Sequence, residues 1–479
     1  MRATSTHLVF GLLALTTGIQ VLAQQSASPA PVSSPAVSGG LLNDYLREQA
    51  SGFNAWDIGG QARARFEAKS GFAVPGVTGA VDFSEATPDN NYWLLREKFH
   101  VGWKPTSWVN LFAEGRDSSS WNDQRTPEPE EDSIDLHQAF IALGNTKEFP
   151  VSAKIGRQEL SYGDERLVGA FDWNNIGRVF DAAKLRFEND TFWVDAFAGR
   201  VVLANDGEFN VANDYDWFSG VYASTRTLIP KQETQIYFLA RNTGPQSPTA
   251  TTGIPQAGGP GARDIYTPGL RFKSLPDQFA GWDYDAELAG QFGRFVATGK
   301  SLDHGAFAAH VAGGYSWKDA WGKPRLGLEY NFASGDNNPT DGKHGTFENL
   351  FPTNHKFYGF MDFVSWQNIH NARLTASAKP AKGLTLTADY HLFWLADTAD
   401  SFYGAAGAPR NTGGYGLKPA NDSFVGSELD LIATYAIKTY ATAQIGYGHF
   451  FVGDYVQQSL ASTGSKDADW FYAQLAFNF

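Results

Sequence analysis

The stretch KIGRQELSYGDERLVGAFDWNNIGRVFDAAKLRF, residues 154–187, changes pattern twice and guides the interpretation of the whole chain. After its central loop, Ala183, Leu185 and Phe187 alternate with polar residues. A period of two predicts a strand with one apolar face and one wet face. The charged residues of the loop are too dense for a packed core: Asp164, Glu165, Arg166, Asp172, Arg178 and Asp181. Taken alone, the stretch is compatible with a solvated loop between two strands.

The motifs of this stretch resemble those of the alginate export family of outer-membrane β-barrels. Members of that family carry similar GRQEL, G-D-x-R-L-V-G, F-D-W-x-N and G-R-x-F-D runs, which here fall within residues 156–181. The resemblance continues with SGD at residues 334–336, NLFPTNHKFYGFMD at residues 349–362 and the final aromatic strand. It covers most of the chain after about Trp56. The resemblance therefore implies a barrel, which the residues must support independently.

About eighteen alternating segments follow Trp56, and each predicts a strand. They cover residues 56–68, 91–104, 108–117, 134–144, 149–160, 180–189, 191–203, 216–229, 232–243, 265–275, 281–295, 305–318, 324–334, 365–380, 383–396, 427–437, 440–453 and 468–479. The segment 281–295 is a clear example, because Trp282 and Leu288 share one face while Asp283 and Glu287 share the other.

The connections between these segments alternate in length. Short turns such as Ala381-Lys382 and Lys438-Thr439 follow every second strand, and long ones follow the others. The long connections include residues 69–90, 118–133, 161–179, 244–264, 335–364 and 397–426. Outer-membrane barrels sort their connections in this way. The sequence therefore predicts an all-β fold: a closed antiparallel transmembrane β-barrel of about 18 strands, with short periplasmic turns and long extracellular loops.

Composition agrees with a barrel in the bacterial outer membrane. The chain has no run of eighteen apolar residues after its N-terminus, so a closed barrel is the remaining way to satisfy the backbone within hydrocarbon. Aromatic content of 14% and 50 glycines, at a mean hydropathy of −0.32, are typical of a barrel with a polar lumen. The chain has no cysteine, which excludes disulfides and thiolate metal sites. A net charge of −13 argues against nucleic-acid binding.

Three regions are predicted along the chain. Residues 1–23 have the charged start, apolar run and small-residue cleavage site of a signal peptide. Residues 24–55 begin with a Pro/Ser/Ala-rich run and are interpreted as a flexible periplasmic leader, with a short helix around residues 41–49. Residues 56–479 form the barrel, and its last strand ends on Phe479, which resembles the recognition signal of outer-membrane proteins. A monomer surrounded by outer-membrane lipid is expected, because the barrel closes on itself.

The lumen is the predicted functional region, since a barrel of this size encloses water. The polar faces place a set of bases there: Arg63, Arg65, Arg96, Lys98, Arg116, Arg157, Lys184, Arg186, Arg325 and Arg373. Bases dominate the first half, and acids concentrate between Asp283 and Asp430, which predicts one basic wall. Guanidinium groups bind carboxylates bidentately, so a polyuronate could pass along them. Alternatively, these arginines pair with lumen acids and only rigidify the wall.

The resemblance favours the first interpretation. Alginate-secreting members of the family have an electropositive, arginine-lined constriction, whose matching positions here are Arg96, Arg157, Arg166, Arg178, Asp181 and Lys184. Arg166 and Arg178 lie in a loop, which must then fold inward. These members also have a long, late periplasmic turn that plugs the pore, whereas the turn at Lys438-Thr439 is minimal. This departure leaves room for an ungated channel.

Enzymatic and metal-binding interpretations are weaker. Asp283, Asp285 and Glu287 with His310 or His391 could form an acid–base group, but such a row of carboxylates is more typical of a solvated wall. Motifs for nucleophile elbows, zinc proteases or nucleotide phosphates are absent. The run DNNPTDG, residues 336–342, has oxygen ligands spaced for calcium but is also a normal Asx-turn loop. No cofactor and no catalysis are predicted.

Two functional hypotheses follow. The first is an outer-membrane channel that passes an anionic polysaccharide, an alginate-like polyuronate, in the direction of export. Its driving force would lie in periplasmic secretion partners, because the chain has no nucleotide site. The alternative is a diffusion porin for acidic oligosaccharides or small anions.

Overall fold

The computed structural model describes residues 40–244, 262–297 and 300–479. Its strands are β1 Trp56–Ser70, β2 Asn90–Thr106, β3 Val109–Trp121, β4 Asp132–Leu143, β5 Val151–Gln158, β6 Phe180–Glu188, β7 Phe192–Leu203, β8 Val211–Thr225, β9 Gln232–Thr243, β10 Arg263–Ser274, β11 Trp282–Ala297, β12 Lys300–Ser316, β13 Arg325–Ala333, β14 Lys343–His344, β15 Ile369–Ala381, β16 Leu384–Leu395, β17 Phe424–Lys438, β18 Ala441–Val452 and β19 Ala468–Asn478.

The strands close into a barrel. Strand β1 pairs antiparallel with β2 on one side and with the last strand, β19, on the other. The two-residue β14 adds only a parallel bridge to β12, so the wall consists of the other 18 strands, each hydrogen-bonded to its neighbours along the chain. Closure removes the free edges that an open sheet would expose. The predicted closed antiparallel barrel of about 18 strands is confirmed.

Alternation gives the wall an apolar outer face and a polar inner face. On β6 and β13, Leu185 and Leu328 point outward, 57% and 68% exposed, whereas Arg186 points inward and is 1% exposed. An apolar outer face is what a barrel presents to lipid hydrocarbon. Across the described ranges, no helix combines the length and the apolar composition needed to cross a membrane.

The connections are sorted by length, as the sequence predicts. We call the two ends of the barrel the short-turn end and the long-loop end. The predicted turns at residues 381–382 and 438–439 are observed one residue later, at 382–383 and 439–440. Strand β8 begins five residues before the predicted residue 216 and ends at Thr225 rather than 229. The reason is a register shift between Arg200 and Val202, after which β7 pairs with a second stretch of β8 at Ala212.

Two short helices and a 3-10 turn are not part of the barrel wall. Helix α1, Leu41–Gln49, and a 3-10 turn, Ser51–Ala55, precede β1, and α2, Asp454–Ser459, lies in the last long connection. Asn43 anchors α1, because its amide donates to Asp57 at 2.6 Å and its oxygen accepts from the Ile58 amide at 2.7 Å. The helix around residues 41–49 is confirmed. Residues 40–55 of the predicted leader, 24–55, contain this helix and the 3-10 turn, and the signal peptide and residues 24–39 lie outside the described residues.

The interior is partly packed rather than simply filled with water. Side chains from a long connection, among them Phe347, Phe351 and Trp366, are fully buried in one apolar cluster with wall residues such as Phe180 and Ala333. Both wall residues stand at the long-loop ends of their strands. The expectation that the barrel encloses water rather than a packed core is therefore corrected for this part of the barrel.

Candidate functional site

Two connections fold into the barrel and divide its interior. We call residues 159–179 the first inner loop, residues 345–368 the second inner loop, and both together the septum. Their backbones pair directly: Gly169 N donates to Phe351 O at 2.8 Å, and Phe351 N donates to Leu167 O at 3.0 Å. Val168 and Phe351 form a parallel bridge. The two loops therefore behave as one hydrogen-bonded body inside the barrel.

Arginines of β1, β2 and β3 hold the first inner loop. Arg63, Arg65, Arg96 and Arg116 donate to backbone carbonyl oxygens of residues 172–176 over distances of 2.6 to 2.9 Å. All four side chains are buried. Because a buried carbonyl needs a donor, these guanidinium groups complete the fold of a segment without regular secondary structure. These predicted lumen bases are thus occupied by the chain itself.

Arg178 joins the two inner loops. Its Nη1 atom donates to the carbonyl oxygens of Gly169, Phe351 and Pro352 at 3.0, 2.8 and 2.9 Å. The first of these belongs to the first inner loop and the other two to the second. Arg178 therefore lies at the centre of the septum, folded inward as the resemblance requires.

Arg166 fixes the septum to the opposite wall. Its guanidinium lies 2.8 Å from Glu329 on β13, donates to Asn331 at 3.1 Å, and stacks over the Phe357 ring at 3.9 Å. Burial lowers the pKa of Arg166, but Glu329, Tyr358 and Asp285 together raise it by more, so the pKa ends above its ordinary value. Arg166 and Glu329 therefore stay ionised. Because the first inner loop also contacts Arg63 on β1, it spans the lumen from β1 to β13.

The second inner loop is held by residues of β9, β10 and β11. Glu348 pairs with Arg263 at 2.5 Å, and the carbonyl of Glu348 accepts from Gln291 at 2.8 Å. Arg241, which is paired with Asp216 at 2.6 Å, also reaches Glu348 at 3.5 Å. The contact of Arg263 with Glu348 was not anticipated, since the two residues are far apart in the sequence.

The remaining inward bases pair with carboxylates of neighbouring strands. The pairs are Arg186–Asp195 at 2.6 Å, Lys184–Asp195 at 3.3 Å, Arg373–Asp389 at 2.7 Å and Arg325–Asp283 at 2.5 Å. These contacts fit the alternative in which lumen bases rigidify the wall.

Two predicted lumen residues, Arg157 and Asp181, lie on the outer face. They pair with each other at 2.8 Å, and Asp181 stands across the ladder from Arg200, which stacks over the outward-facing Trp217. Alternation puts Arg157 on the same side as the exposed Ile155. Their assignment to the lumen is corrected. Spacing could have shown this for Asp181, because residues 181 and 184 are an odd number apart and cannot share a face of a regular strand.

Asp172 is the exposed member of the basic cluster. Its carboxylate lies 2.9 Å from Arg96 and 3.0 Å from Lys98. The Asp172 side chain is 58% exposed, whereas the side chains of Arg96 and Lys98 are 1% and 11% exposed. Burial raises the pKa of the Asp172 carboxyl, but Arg96 and Lys98 lower it by more, so it ends well below its ordinary value. A carboxylate of the first inner loop thus pairs with both Arg96 and Lys98 and is itself exposed to the lumen.

Lys154 is an inward base that the sequence interpretation left out of the site. It stands directly across the β5–β6 ladder from Lys184, and its ammonium lies 3.7 Å from the centre of the Phe140 ring. The side chains of both lysines are half-buried. In the part of the chain that the structure describes, neither lysine donates a hydrogen bond to a backbone oxygen of the septum. We call the wall around Lys98, Lys154 and Lys184 the open sector. The sequence signal for Lys154 was its position two residues after Ser152, which puts both side chains on the same face of the strand.

The acidic row proposed for catalysis does not converge on a histidine. Glu287 accepts from the Tyr237 hydroxyl at 2.8 Å, and Asp285 pairs with Arg271. His310 and His391 contact asparagine side chains, Asn331 at 2.8 Å and Asn371 at 3.2 Å respectively. Each group is engaged in the wall by a different partner.

The DNNPTDG run folds as Asx turns. Asp336 accepts from the Asn338 amide at 3.1 Å, and Asp341 accepts from the Lys343 amide at 2.9 Å. These carboxylates therefore cap the backbone of the loop. Within the ranges that the structure covers, no group of three or more His, Cys, Asp or Glu side chains is arranged to hold a metal ion.

Solved structures with the same architecture are outer-membrane porins. OccK11 (OpdR) of Pseudomonas aeruginosa is 14% identical, with a TM-score of 0.52 over 89% of this chain and 96% of its own. OccAB1 of Acinetobacter baumannii is 11% identical, with a TM-score of 0.56 over 88% and 96%. OpdK of P. aeruginosa, solved with vanillate, is 14% identical, with a TM-score of 0.53 over 88% and 98%. At these identities the likeness shows the fold alone.

No curated protein matches the chain. The model of the family described as alginate export matches residues 55–467, which is most of the chain. Together with the porin fold, this match identifies an outer-membrane channel of a bacterium, with its short turns in the periplasm and its long loops outside the cell. The chain belongs to the alginate export family.

Proposed function

We propose that this channel passes an anionic polysaccharide, a polyuronate of the alginate class, along the inward bases of the open sector. The observation that carries the proposal is the Asp172 carboxylate, held at 2.9 Å by Arg96 and at 3.0 Å by Lys98 and exposed to the lumen. A carboxylate is the charged group of every uronate unit. The site therefore already accommodates this group in an accessible position.

The other lumen bases that were predicted from the sequence have two roles in this proposal. Lys98 and Lys184 contact the passing polymer, since their side chains remain 11% and 17% exposed. Arg63, Arg65, Arg116, Arg166, Arg178, Arg186, Arg325 and Arg373 shape the passage through their contacts with the septum and the wall. Arg157 and Asp181 take no part, because they lie outside the lumen. Export is the proposed direction, and its driving force comes from periplasmic partners.

The second candidate function is a diffusion porin for acidic oligosaccharides or small anions. The septum favours it, because two loops tied together by Arg178 and fixed to opposite walls narrow the interior. The short turn at residues 439–440 also provides no periplasmic plug. Both candidate functions require a lumen that prefers anions. They differ in the length of the sugar polymer that the lumen admits.

Planar-bilayer recording tests the proposal. The parent channel is expected to prefer chloride over potassium, and alginate oligosaccharides are expected to block its current for longer as their length increases. Lys98→Met should reduce the anion preference several-fold, whereas Lys147→Met, on an exposed periplasmic turn, should not change it. Cation preference in the parent channel would contradict both candidates. Block that is limited to the shortest oligosaccharides would favour the diffusion porin.

A further inference from the structure

Two histidines meet where the second inner loop enters the barrel. His304 on β12 is 5% exposed, and His344 on β14 immediately precedes the loop. Their Nδ1 atoms are 2.9 Å apart, and the two residues are partners in the short parallel bridge between β12 and β14. The His344 ring also stacks on the Phe295 ring of β11, with 4.0 Å between the ring centres. We call His304 and His344 the histidine pair.

The contacts of Gln291 fix where the protons lie in the neutral histidine pair. The Gln291 amide nitrogen donates to the Glu348 carbonyl at 2.8 Å, and its oxygen accepts from the Glu348 amide at 2.7 Å. The same oxygen lies 3.3 Å from His304 Nε2, which therefore donates, because an amide oxygen only accepts. His304 Nδ1 is then the bare nitrogen of a neutral ring, and it accepts from the Nδ1–H of His344. One proton thus joins the two Nδ1 atoms.

This hydrogen bond tolerates one positive charge but not two. A first added proton can go to His344 Nε2, which leaves the bond in place. A second proton then has only His304 Nδ1 to bind, so that two N–H groups of positively charged rings face each other across 2.9 Å. The doubly charged histidine pair must therefore separate.

The surrounding charges do not offset the second proton. Glu348 of the second inner loop and Arg263 of β10 face the histidine pair, but they are paired with each other at 2.5 Å. Asp303 and Lys343, the other two residues of the β12–β14 bridge, are exposed. Burial lowers the pKa of His344 to about 4, from an ordinary value of about 6.5. The hydrogen bond is therefore intact at neutral pH and is lost as the pH falls through about 4.

We propose that the histidine pair is a pH-sensitive contact, which holds the entrance of the second inner loop at neutral pH and releases it in acid, widening the channel. The loop follows His344 directly, so the separation displaces its first residues. Deeper in the septum, Arg178 donates to backbone carbonyls, which do not titrate. The rest of the septum therefore stays in place and the release is reversible. This inference goes beyond the proposed function, because it does not depend on the solute.

The test is single-channel recording of the full-length protein in potassium chloride, without sugar, from neutral pH to about pH 3.5, just below the pKa of His344. The parent is expected to gain a second, higher conductance level in acid. The time spent at that level, relative to the lower one, should rise by about tenfold per pH unit, as for the uptake of one proton.

Two variants test the two histidines separately. His344→Asn keeps a donor at the position of Nδ1 but takes up no proton, so it should stay at the lower level throughout. His304→Gln removes the bare Nδ1 and should also abolish the acid level. His370→Asn is the matched control, because His370 contacts the exposed Tyr330 on the outer face at 2.6 Å. It should respond to acid as the parent does.

Three results would overturn the proposal. They are a parent channel with the same conductance levels at neutral and acid pH, an acid response of the parental size in both His344→Asn and His304→Gln, and a loss of the response in His370→Asn. Equal thermal unfolding temperatures of the four proteins at pH 7 are expected and show that the variants fold. Because no sugar is present, each of these results leaves the proposed function standing.

Discussion

The wall of β1 to β3 and the wall of β5 and β6 both carry inward bases, yet they use them differently. In the first, arginines are buried and donate to the carbonyls of the first inner loop at 2.6 to 2.9 Å. In the second, Lys154 and Lys184 face each other and stay partly accessible. The comparison teaches that a positive charge inside a barrel is available to a solute only where its side chain stays partly exposed.

The largest expected effect comes from removing the arginine at the centre of the septum. Arg178→Met removes the guanidinium that donates to three buried carbonyl oxygens, of which Phe351 O keeps the Gly169 amide as a donor, and each hydrogen bond to a charged group contributes about 1.5–3 kcal/mol. We expect the free energy of unfolding to fall by at least about 3 kcal/mol, as measured by urea denaturation in lipid vesicles. The single-channel conductance should rise, because the two inner loops separate.

The control for Arg178→Met is Arg200→Met on the outer rim. Arg200 pairs with an exposed carboxylate, Asp214, and such surface pairs contribute less than about 1 kcal/mol. If both variants lost equally little stability, the septum would not depend on Arg178, and the contrast between the two regions would fail.

A smaller effect is expected when the internal carboxylate is removed. Asp172→Asn leaves Arg96 and Lys98 without their counter-charge, so the anion preference should increase about two- to threefold and block by an alginate hexasaccharide should last longer. The measurement is the reversal potential in a salt gradient. Asp190→Asn, on an exposed turn, is the matched control. A decrease in anion preference would show that Asp172 does not compete with the solute.

The pH dependence of the same site follows from the direction of the pKa shift. Because the pKa of Asp172 in the folded channel lies below the ordinary value of about 3.9, its ion pairs persist from neutral pH down past that value. They weaken only as the pH falls through the lowered pKa. Parent and Asp172→Asn should therefore differ in selectivity above pH 4 and converge at more acidic pH. Convergence already near pH 6 would contradict the assignment.

The smallest effect is expected for the residue that the structure moves out of the lumen. Arg157→Met should leave ion selectivity unchanged, because its side chain lies on the outer face with Asp181. Lys98→Met, measured in parallel, should reduce the anion preference several-fold. Equal losses in the two variants would place Arg157 back in the pathway.

Most of the fold could be predicted from local patterns. The alternation of residues 281–295 gives β11 and both of its faces, since the period of a strand depends only on the order of side chains. Strand β8 was placed less well, because the bulge near residues 200–202 interrupts that period. The outward position of Asp181 was also readable in principle, from its odd spacing to Lys184 on the same strand.

The accessibility of the inward bases could not be predicted in this way. Arg65 and Lys184 look alike in the sequence, as bases on the polar face of a strand. Arg65 is buried because it donates to the carbonyl of Trp173, 108 residues away in the chain. Arg166 finds Glu329 at a separation of 163 residues.

The sequence by itself determined a closed barrel with an apolar outer face, because alternation and loop length are local properties that hydrogen bonding between neighbouring strands converts into a wall. Only the tertiary structure decided which bases remain available to a solute. Two inner loops bring backbone carbonyls and carboxylates to most of the guanidinium groups, and no pattern within a strand records where a distant loop will dock.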